Sequence, residues 1–262
     1  MLENLTVGII LSSLMGFGGY YKQSLSESGV VGAIVVGTSI FGFGGWVWGV
    51  LLVTFFVSAS ALSTFKKGAK AAVAEQFDKG SRRDLGQALA NGGLGALLAV
   101  LSAVWPAPLW WWAFLGAMGT VNADTWATEL GVLSRQQPRL ITTGKIVPAG
   151  TSGGLTMLGT LAALGGGSLI GLVAWLLTDG GLSLVVVAGI GGLAGALIDS
   201  LLGATVQTIY RCAVCGQETE RVECCQQPTS LQRGWGWLRN DWVNFISSIG
   251  GAGVAIGLGW WL

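Results

Sequence analysis

Apolar runs of membrane-spanning length alternate with short polar segments along the whole chain. At roughly 20 residues per bilayer core, the pattern predicts eight helical spans, at about 5–21, 29–44, 46–64, 85–104, 109–132, 153–177, 183–208 and 242–262. The second and third meet at Phe41-Gly42-Phe43-Gly44-Gly45, as a tight hairpin or a partly re-entrant pair. The fourth and fifth are separated by Trp105-Pro106-Ala107-Pro108, where neither proline can continue a helix. Only Glu3 is charged ahead of the first run, which therefore reads as a span and not as a cleavable signal. The fold class expected is all-α: a polytopic transmembrane helical bundle, with residues 1–262 as one integral membrane domain.

Charge placement orients this bundle. All fourteen Lys and Arg residues fall at Lys22, in 66–83, in 135–145 or in 211–239. With eight spans these four loops share one side, and the opposite loops carry none. The positive-inside rule makes the basic side cytoplasmic. Trp46, Trp48, Trp105, Trp110 to Trp112, Trp175, Trp260 and Trp261 then form an aromatic belt at the far interface. Two cytoplasmic elements stand out, a basic segment at 65–84 and a cysteine-containing loop at 209–240.

Composition changes the picture in two ways. With 52% hydrophobic and 10% charged side chains, the chain departs from soluble domains, about a quarter of whose residues are charged. Histidine is absent, which excludes Ser-His and Cys-His nucleophiles and His general bases or ligands. Chemistry must rest on carboxylates, Lys and Arg, hydroxyls, thiols and bound metal. The 44 glycines are read mostly as sites of close helix approach.

Polar clusters lie at the cytoplasmic ends of the spans. Asn122-Ala123-Asp124-Thr125-Trp126-Ala127-Thr128-Glu129 closes the fifth span. Intramembrane carboxylates are costly and usually functional, although a solvated helix end is the plainer alternative. On a regular helix Asn122 and Glu129 share a face, and Asp124 points about 140° from Glu129. Gly150-Thr151-Ser152-Gly153-Gly154 opens the sixth span, where free N–H groups at a helix start favour an anion. Lys145 and Arg139 precede it. Asp84, Gln87 and Asn91 form one stripe of the fourth span, Asp199 lies inside the seventh with Gln207 on its face, and Asn240, Asp241 and Asn244 open the eighth. Single members of such sets often only hold helices together. The segment 66–83 is a basic amphipathic stretch, either bound to anionic head groups or supplying Lys66, Lys70 and Arg82 or Arg83 to phosphates.

These groups together suit a magnesium nucleotide, since Mg²⁺ takes oxygen ligands from one or two carboxylates plus phosphates. In the loop at 209–240, Cys212, Cys215, Cys224 and Cys225 are a candidate structural zinc set on a reducing side that disfavours disulfides. Adjacent cysteines fit awkwardly around a closed tetrahedral ion.

Over nearly its whole length the sequence resembles the integral membrane family of transmembrane protein 19 and the plant and cyanobacterial phytyl-phosphate kinases. The resemblance rests on Asn122 to Gly131, Pro148 to Gly154, the cysteine knuckle with Thr219-Glu220-Arg221, and Asn240-Asp241-Trp242-Val243-Asn244. The family commonly has a histidine where Cys224-Cys225 stand here. More loosely, the first two motifs resemble those of dolichol and phytol kinases and of cytidine-diphosphate lipid synthases. The resemblance implies phosphoryl transfer from a nucleoside triphosphate, CTP by analogy, to an isoprenoid monophosphate such as phytyl phosphate, for tocopherol or related prenyl-lipid synthesis in a plasma or thylakoid membrane. Asp124, Glu129, Asp199 and Asp241 are then expected to hold Mg²⁺, with Lys145, Arg139 and 150–154 around the donor phosphates. The apolar tail is expected in a groove near Gly92, Gly93 and Gly95. Expected partners are the nucleotide, the prenyl phosphate and membrane lipids, and not nucleic acid. A transporter and a lipid nucleotidyltransferase are the rival readings.

Overall fold

The structure is a computed structural model that describes residues 2–74 and 82–261. The expectations for Glu75, Asp78 and Lys79 fall outside that range. Among the described residues nine α-helices follow in order: α1 (Leu2–Tyr21), α2 (Glu27–Ser39), α3 (Trp46–Thr64), a short α4 (Lys67–Ala74), α5 (Leu85–Val104), α6 (Leu109–Gly131), α7 (Met157–Leu177), α8 (Ser183–Thr205) and α9 (Asn240–Gly259). Among the described residues, six helical segments are long and apolar enough to cross a bilayer: α2 together with its continuation to Gly44, α3, α5, α7, α8 and α9. The chain is an integral, multi-pass membrane protein.

α6 is the axis of the bundle. It is buried continuously from Ala113 to Ala123, the pattern of a helix surrounded by others. α7, α8 and α9 pack closely on it, and small residues set the spacing. A Cβ on Gly119 would stand 2.6 Å from the Ala188 carbonyl oxygen, so backbone meets backbone there, as in other tightly packed membrane helices. α1 buries only the stripe Gly8, Ser12, Gly16 and Gly19, mostly against α2, and leaves Val7, Ile10, Leu14 and Phe17 facing outward.

α2 runs on through a π-helical segment, Ile40–Gly44, and reverses at Gly45 (φ +85°). The expected hairpin is present, but its arms diverge: α3 packs on α6 and α7, whereas α2 packs on α1 and α5. Trp48, Trp111 and Phe114 stack in the core between α3 and α6.

Short strands order two of the connections. β1 (Arg139–Leu140) pairs with β2 (Gly154–Leu155). In the loop after α8, β3 (Ile209–Arg211) lies between β4 (Glu218–Thr219) and β7 (Ser230–Arg233), and β5 (Glu223–Cys224) pairs with β6 (Gln227–Pro228). Two span boundaries shift accordingly. The sixth helix starts at Met157 and not at 153, with Thr156 as its cap: its Oγ1 accepts the Gly159 N–H at 3.0 Å. The seventh ends at Thr205, so Gln207 belongs to the loop.

Candidate functional site

A cavity of about 650 Å³ opens at the end of the bundle that carries the basic loops, a size typical of small-ligand sites. Among the described residues, seven helices and three connections contribute to its wall. α6 supplies Asp124, Thr125, Thr128 and Glu129, α8 supplies Asp199 and Ser200, and α9 supplies Asn240, Asp241 and Asn244. Asn91 and Gln87 come from α5, and the connection before α7 contributes 149–156.

Asp124 and Asp199 are each half-buried, and the Asp124 charge acts on Asp199. Ser247 of α9 donates to Asp199 Oδ2 at 3.2 Å. Glu129 also lines the cavity, but both of its oxygens are engaged. Ser63 donates to Oε1 at 2.7 Å and Lys70 Nζ lies 2.6 Å from Oε2. Lys70, which further donates to the Leu62 carbonyl at 2.7 Å, thus fastens α4 to α3 and α6.

Among the described residues four cations reach the wall: Lys67, Lys70, Arg83 and Arg239. Of the expected pair Arg82 and Arg83, it is Arg83 that lines the cavity. The segment forms a bridge with Leu25, in which Arg83 N–H donates to Ser24 and Arg83 C=O accepts from Ser26, and successive side chains of extended backbone point to opposite sides. Arg82 turns outward, donates through Nε and Nη2 to the Leu25 carbonyl (3.2 and 3.1 Å) and lies over Tyr20. Arg83 turns inward, donates to Ser60 Oγ at 3.2 Å and lies beside Phe55 and Phe56. Burial pulls its guanidinium below the ordinary Arg value, and the Glu129 charge offsets part of this.

Several expected residues lie elsewhere. Asn122 is fully buried, donates to the Gly166 carbonyl at 2.8 Å and accepts from Ser58 Oγ at 2.9 Å, so it joins α3, α6 and α7 beneath the cavity. Asp84 is the N-cap of α5 and forms a capping box with Gln87. Lys66 sits over Phe65 outside the cavity wall. Arg139 and Lys145 are exposed on the β1 side of a turn at Gly144, where Arg139 Nη1 donates to the Gly144 carbonyl at 2.9 Å. The chain doubles back there instead of running directly into a helix, which carries both cations away from the cavity.

Residues 150–154 do line the cavity, though not as a helix start. Gly150 and Gly153 adopt positive φ (87° and 82°), and the Gly154 N–H closes a turn on the Thr151 carbonyl at 2.9 Å. Gly153 lies on α8: a Cβ there would stand 2.5 Å from Ala204 Cβ and 2.6 Å from the Ser200 carbonyl oxygen. This docking presents Thr151 and Ser152 to the cavity. Ser152 donates to Gln207 Oε1 at 3.4 Å, and Gln207 Nε2 donates to Glu220 Oε1 at 2.8 Å. Gln207 and Glu220 complete the wall from the cysteine-containing loop. Sequence spacing alone gives no sign of that placement.

Beside this polar cavity lies an apolar crevice of about 70 Å³, bounded by Ser12 and Met15 of α1, Val36 and Gly37 of α2, Phe55 and Phe56 of α3, and Gly92 of α5. It occupies the gap opened where α2 and α3 diverge. Arg83, Gln87 and Asn91 line both spaces. Of the three glycines expected at a tail groove, Gly92 borders the crevice, Gly93 does not, and Gly95 is packed under Phe114, Ile40 and Met118.

For a divalent cation the oxygen donors of Asp124, Asp199, Asp241, Asn240 and Asn244 are of the type Mg²⁺ takes. Among the described residues, a close-set group of three or more ligand side chains is formed by cysteines alone. The carboxylates therefore suit an ion that takes one or two protein ligands and completes its shell with phosphate and water. In the cysteine group, the Cys212 thiol is drawn down to about 6, first by the Cys215 backbone N–H, and Cys224 is pushed up to about 12, first by its hydrogen bond with Cys212.

The fold and this cavity define a polytopic helical membrane protein with a polar, acid- and cation-lined site at one end of the bundle. The chain belongs to the family described as integral membrane protein DUF92, whose sequence pattern matches residues 10–252. It is similar to Protein PGR of Arabidopsis thaliana, with 35% identity over 93% of this chain and 92% of that protein. An uncharacterized membrane protein of Methanocaldococcus jannaschii is 35% identical over 78% of this chain and 83% of its own. Protein VTE6, chloroplastic, of Arabidopsis thaliana is 26% identical over 97% of this chain and 69% of its own. No solved structure matches the chain.

Proposed function

We propose that the protein is a membrane kinase that transfers a phosphoryl group from a nucleoside triphosphate, CTP by analogy, to an isoprenoid monophosphate such as phytyl phosphate. One observation carries this reading: the cavity that brings Asp124 and Asp199 together with cations shares Arg83, Gln87 and Asn91 with an apolar crevice. A phosphate carrying a hydrocarbon tail matches that junction, with the phosphate beside Arg83 and the first carbons of the tail beside Gly92 and Phe55. The similarity to Protein VTE6 and the resemblance to phytyl-phosphate kinases support the same direction.

The chemistry agrees with a chain that has no histidine. A phosphomonoester is largely ionised at neutral pH, its second pKa being about 6, so the attacking oxygen needs no general base. That oxygen forms a bond to the γ-phosphorus as the bond to the β,γ-bridging oxygen breaks, and the nucleoside diphosphate leaves with the charge. Catalysis is then positioning and charge neutralisation. Arg83 orients the acceptor, Lys67 and Arg239 offset donor charge, and Thr151 and Ser152 donate to phosphate oxygens. Asp124 and Asp199, with Asp241 nearby, would hold Mg²⁺, which neutralises developing charge when bound. The site would face the cytoplasm or stroma, the side the basic loops indicate.

The test is transfer of labelled γ-phosphate from CTP and from ATP, with Mg²⁺, to phytyl phosphate by purified protein in detergent. Labelled lipid diphosphate, absent with Asp124→Asn, is the expected result. Pyrophosphate release instead would assign a nucleotidyltransferase, and neither product across several prenyl phosphates, in folded protein, would overturn the reading.

A further inference from the structure

The loop between α8 and α9 brings together four thiols from separate turns. Cys212 and Cys215 flank a tight turn after β3, closed by the Gly216 N–H on the Cys212 carbonyl at 2.9 Å, with Gly216 at φ +72°. Cys224 ends β5, and Cys225 begins the two-residue connection to β6. All four sulfurs lie within 4.8 Å of one another. Cys215 and Cys224 are 3.8 Å apart, as are Cys224 and Cys225. A tetrahedral ion with Zn–S bonds of about 2.3 Å sets its sulfurs about 3.8 Å apart, whereas a disulfide needs about 2.05 Å.

The adjacent cysteines reach a common point because of an unusual turn. Cys225 and Gln226 both have positive φ (52° and 59°), the signature of a type I′ hairpin turn. Such turns favour Asn-Gly, and a residue with an ordinary side chain is strained there. Neither turn residue here is Asn, Asp or Gly. A bond from Cys225 to a shared ion gives a physical reason for that choice.

We propose that Cys212, Cys215, Cys224 and Cys225 bind one zinc ion, which ties the β5–β6 hairpin to the β3–β4 turn and braces Glu220 at the cavity wall. The connection is short. β4 pairs with β3 through Tyr210 and Thr219, Thr219 is buried, and the next residue, Glu220, accepts from Gln207 at 2.8 Å. The other end of the β-structure is held independently, since Arg233 Nη1 donates to the Gly203 carbonyl of α8 at 2.7 Å. Without an ion, the β5–β6 hairpin is a two-stranded element of two residues per strand, which is not stable alone. Zinc selection follows from the soft all-thiolate set, which does not suit Mg²⁺ or Ca²⁺.

The test uses the full chain purified in detergent under reducing conditions, with metal content measured directly and Co²⁺ exchanged in as a spectroscopic probe. About one zinc per chain and the visible bands of tetrahedral thiolate-bound Co²⁺ are expected. Each single Cys→Ser variant should lose metal to a competing chelator by more than the roughly 10–100-fold that removal of an outer-shell partner costs. Wild-type protein stripped of metal should show faster hydrogen exchange at 207 and 219–221, with α6 and α7 unchanged. Absence of zinc together with octahedral or unbound Co²⁺, or a Cys215–Cys224 disulfide in the protein as purified, would overturn the site. Full metal retention in Cys225→Ser would overturn the four-thiolate set, and unchanged exchange on stripping would overturn the bracing role.

Discussion

Lys70 Nζ lies 2.6 Å from Oε2 of Glu129, and the lysine is nearly buried while the glutamate keeps 22% of its side-chain exposure. The pair is one link between the basic amphipathic segment and the bundle. Removing one partner leaves the other charge short of both solvent and compensation. Lys70→Met and Glu129→Gln are each expected to destabilise the protein by about 2–4 kcal/mol, read by thermal or denaturant unfolding in detergent. The double variant should recover part of that loss, and strictly additive losses would show that the two do not act as a pair.

Asp124 and Asp199 repel one another in a half-buried site, which is tolerable when a cation lies between them. Asp124→Asn and Asp199→Asn should each abolish transfer while leaving the protein at least as stable as wild type in the absence of Mg²⁺. Added Mg²⁺ or Mn²⁺ should raise the melting temperature of the wild type and not of the variants. A variant that unfolds early without metal would assign its carboxylate to packing.

The neighbouring arginines should separate cleanly. Arg83→Gln is expected to raise KM for the lipid phosphate by about tenfold or more, since a hydrogen bond to a charged group contributes about 1.5–3 kcal/mol. Arg82→Gln should leave KM unchanged and cost about 1 kcal/mol of stability through the lost bonds to Leu25. Steady-state kinetics on both variants checks this, and equal effects on KM would contradict the inward placement of Arg83.

Gly153→Ala puts a methyl group against Ser200 and Ala204 at a backbone angle that L-residues avoid. The connection carrying Thr151 and Ser152 should lift from α8, lowering transfer at least about tenfold for a cost of about 1–3 kcal/mol. Lys145→Ala and Arg139→Ala, at the exposed turn, should alter activity less than twofold. A large loss in either would return them to the donor site.

The spans and the acids were legible because both depend on local patterns. Continuous apolar runs set the helices, and a carboxylate such as Asp199 inside one is conspicuous. Three features were hidden for different reasons. Gly150 to Gly154 looks like a phosphate-binding helix start, but two positive φ angles and pairing with 139–140 make it a turn and a strand. Arg82 and Arg83 differ only in side-chain direction, which is fixed by a bridge to Leu25 in a distant segment. Gln207 and Glu220 acquire their role from a β-fold too short to leave a periodic signal. Asn122 reads ambiguously for the opposite reason: its polarity marks a buried junction with Ser58 and Gly166, which in sequence resembles a ligand.

Gln207 receives Ser152 on one side and donates to Glu220 on the other. It therefore ties the two connections at the cavity rim to one another. Local opening governed by one shared link proceeds at one free energy, not as independent fluctuations of two loops. Under the proposed function, a ligand that displaces one of these connections is expected to disturb the other with it.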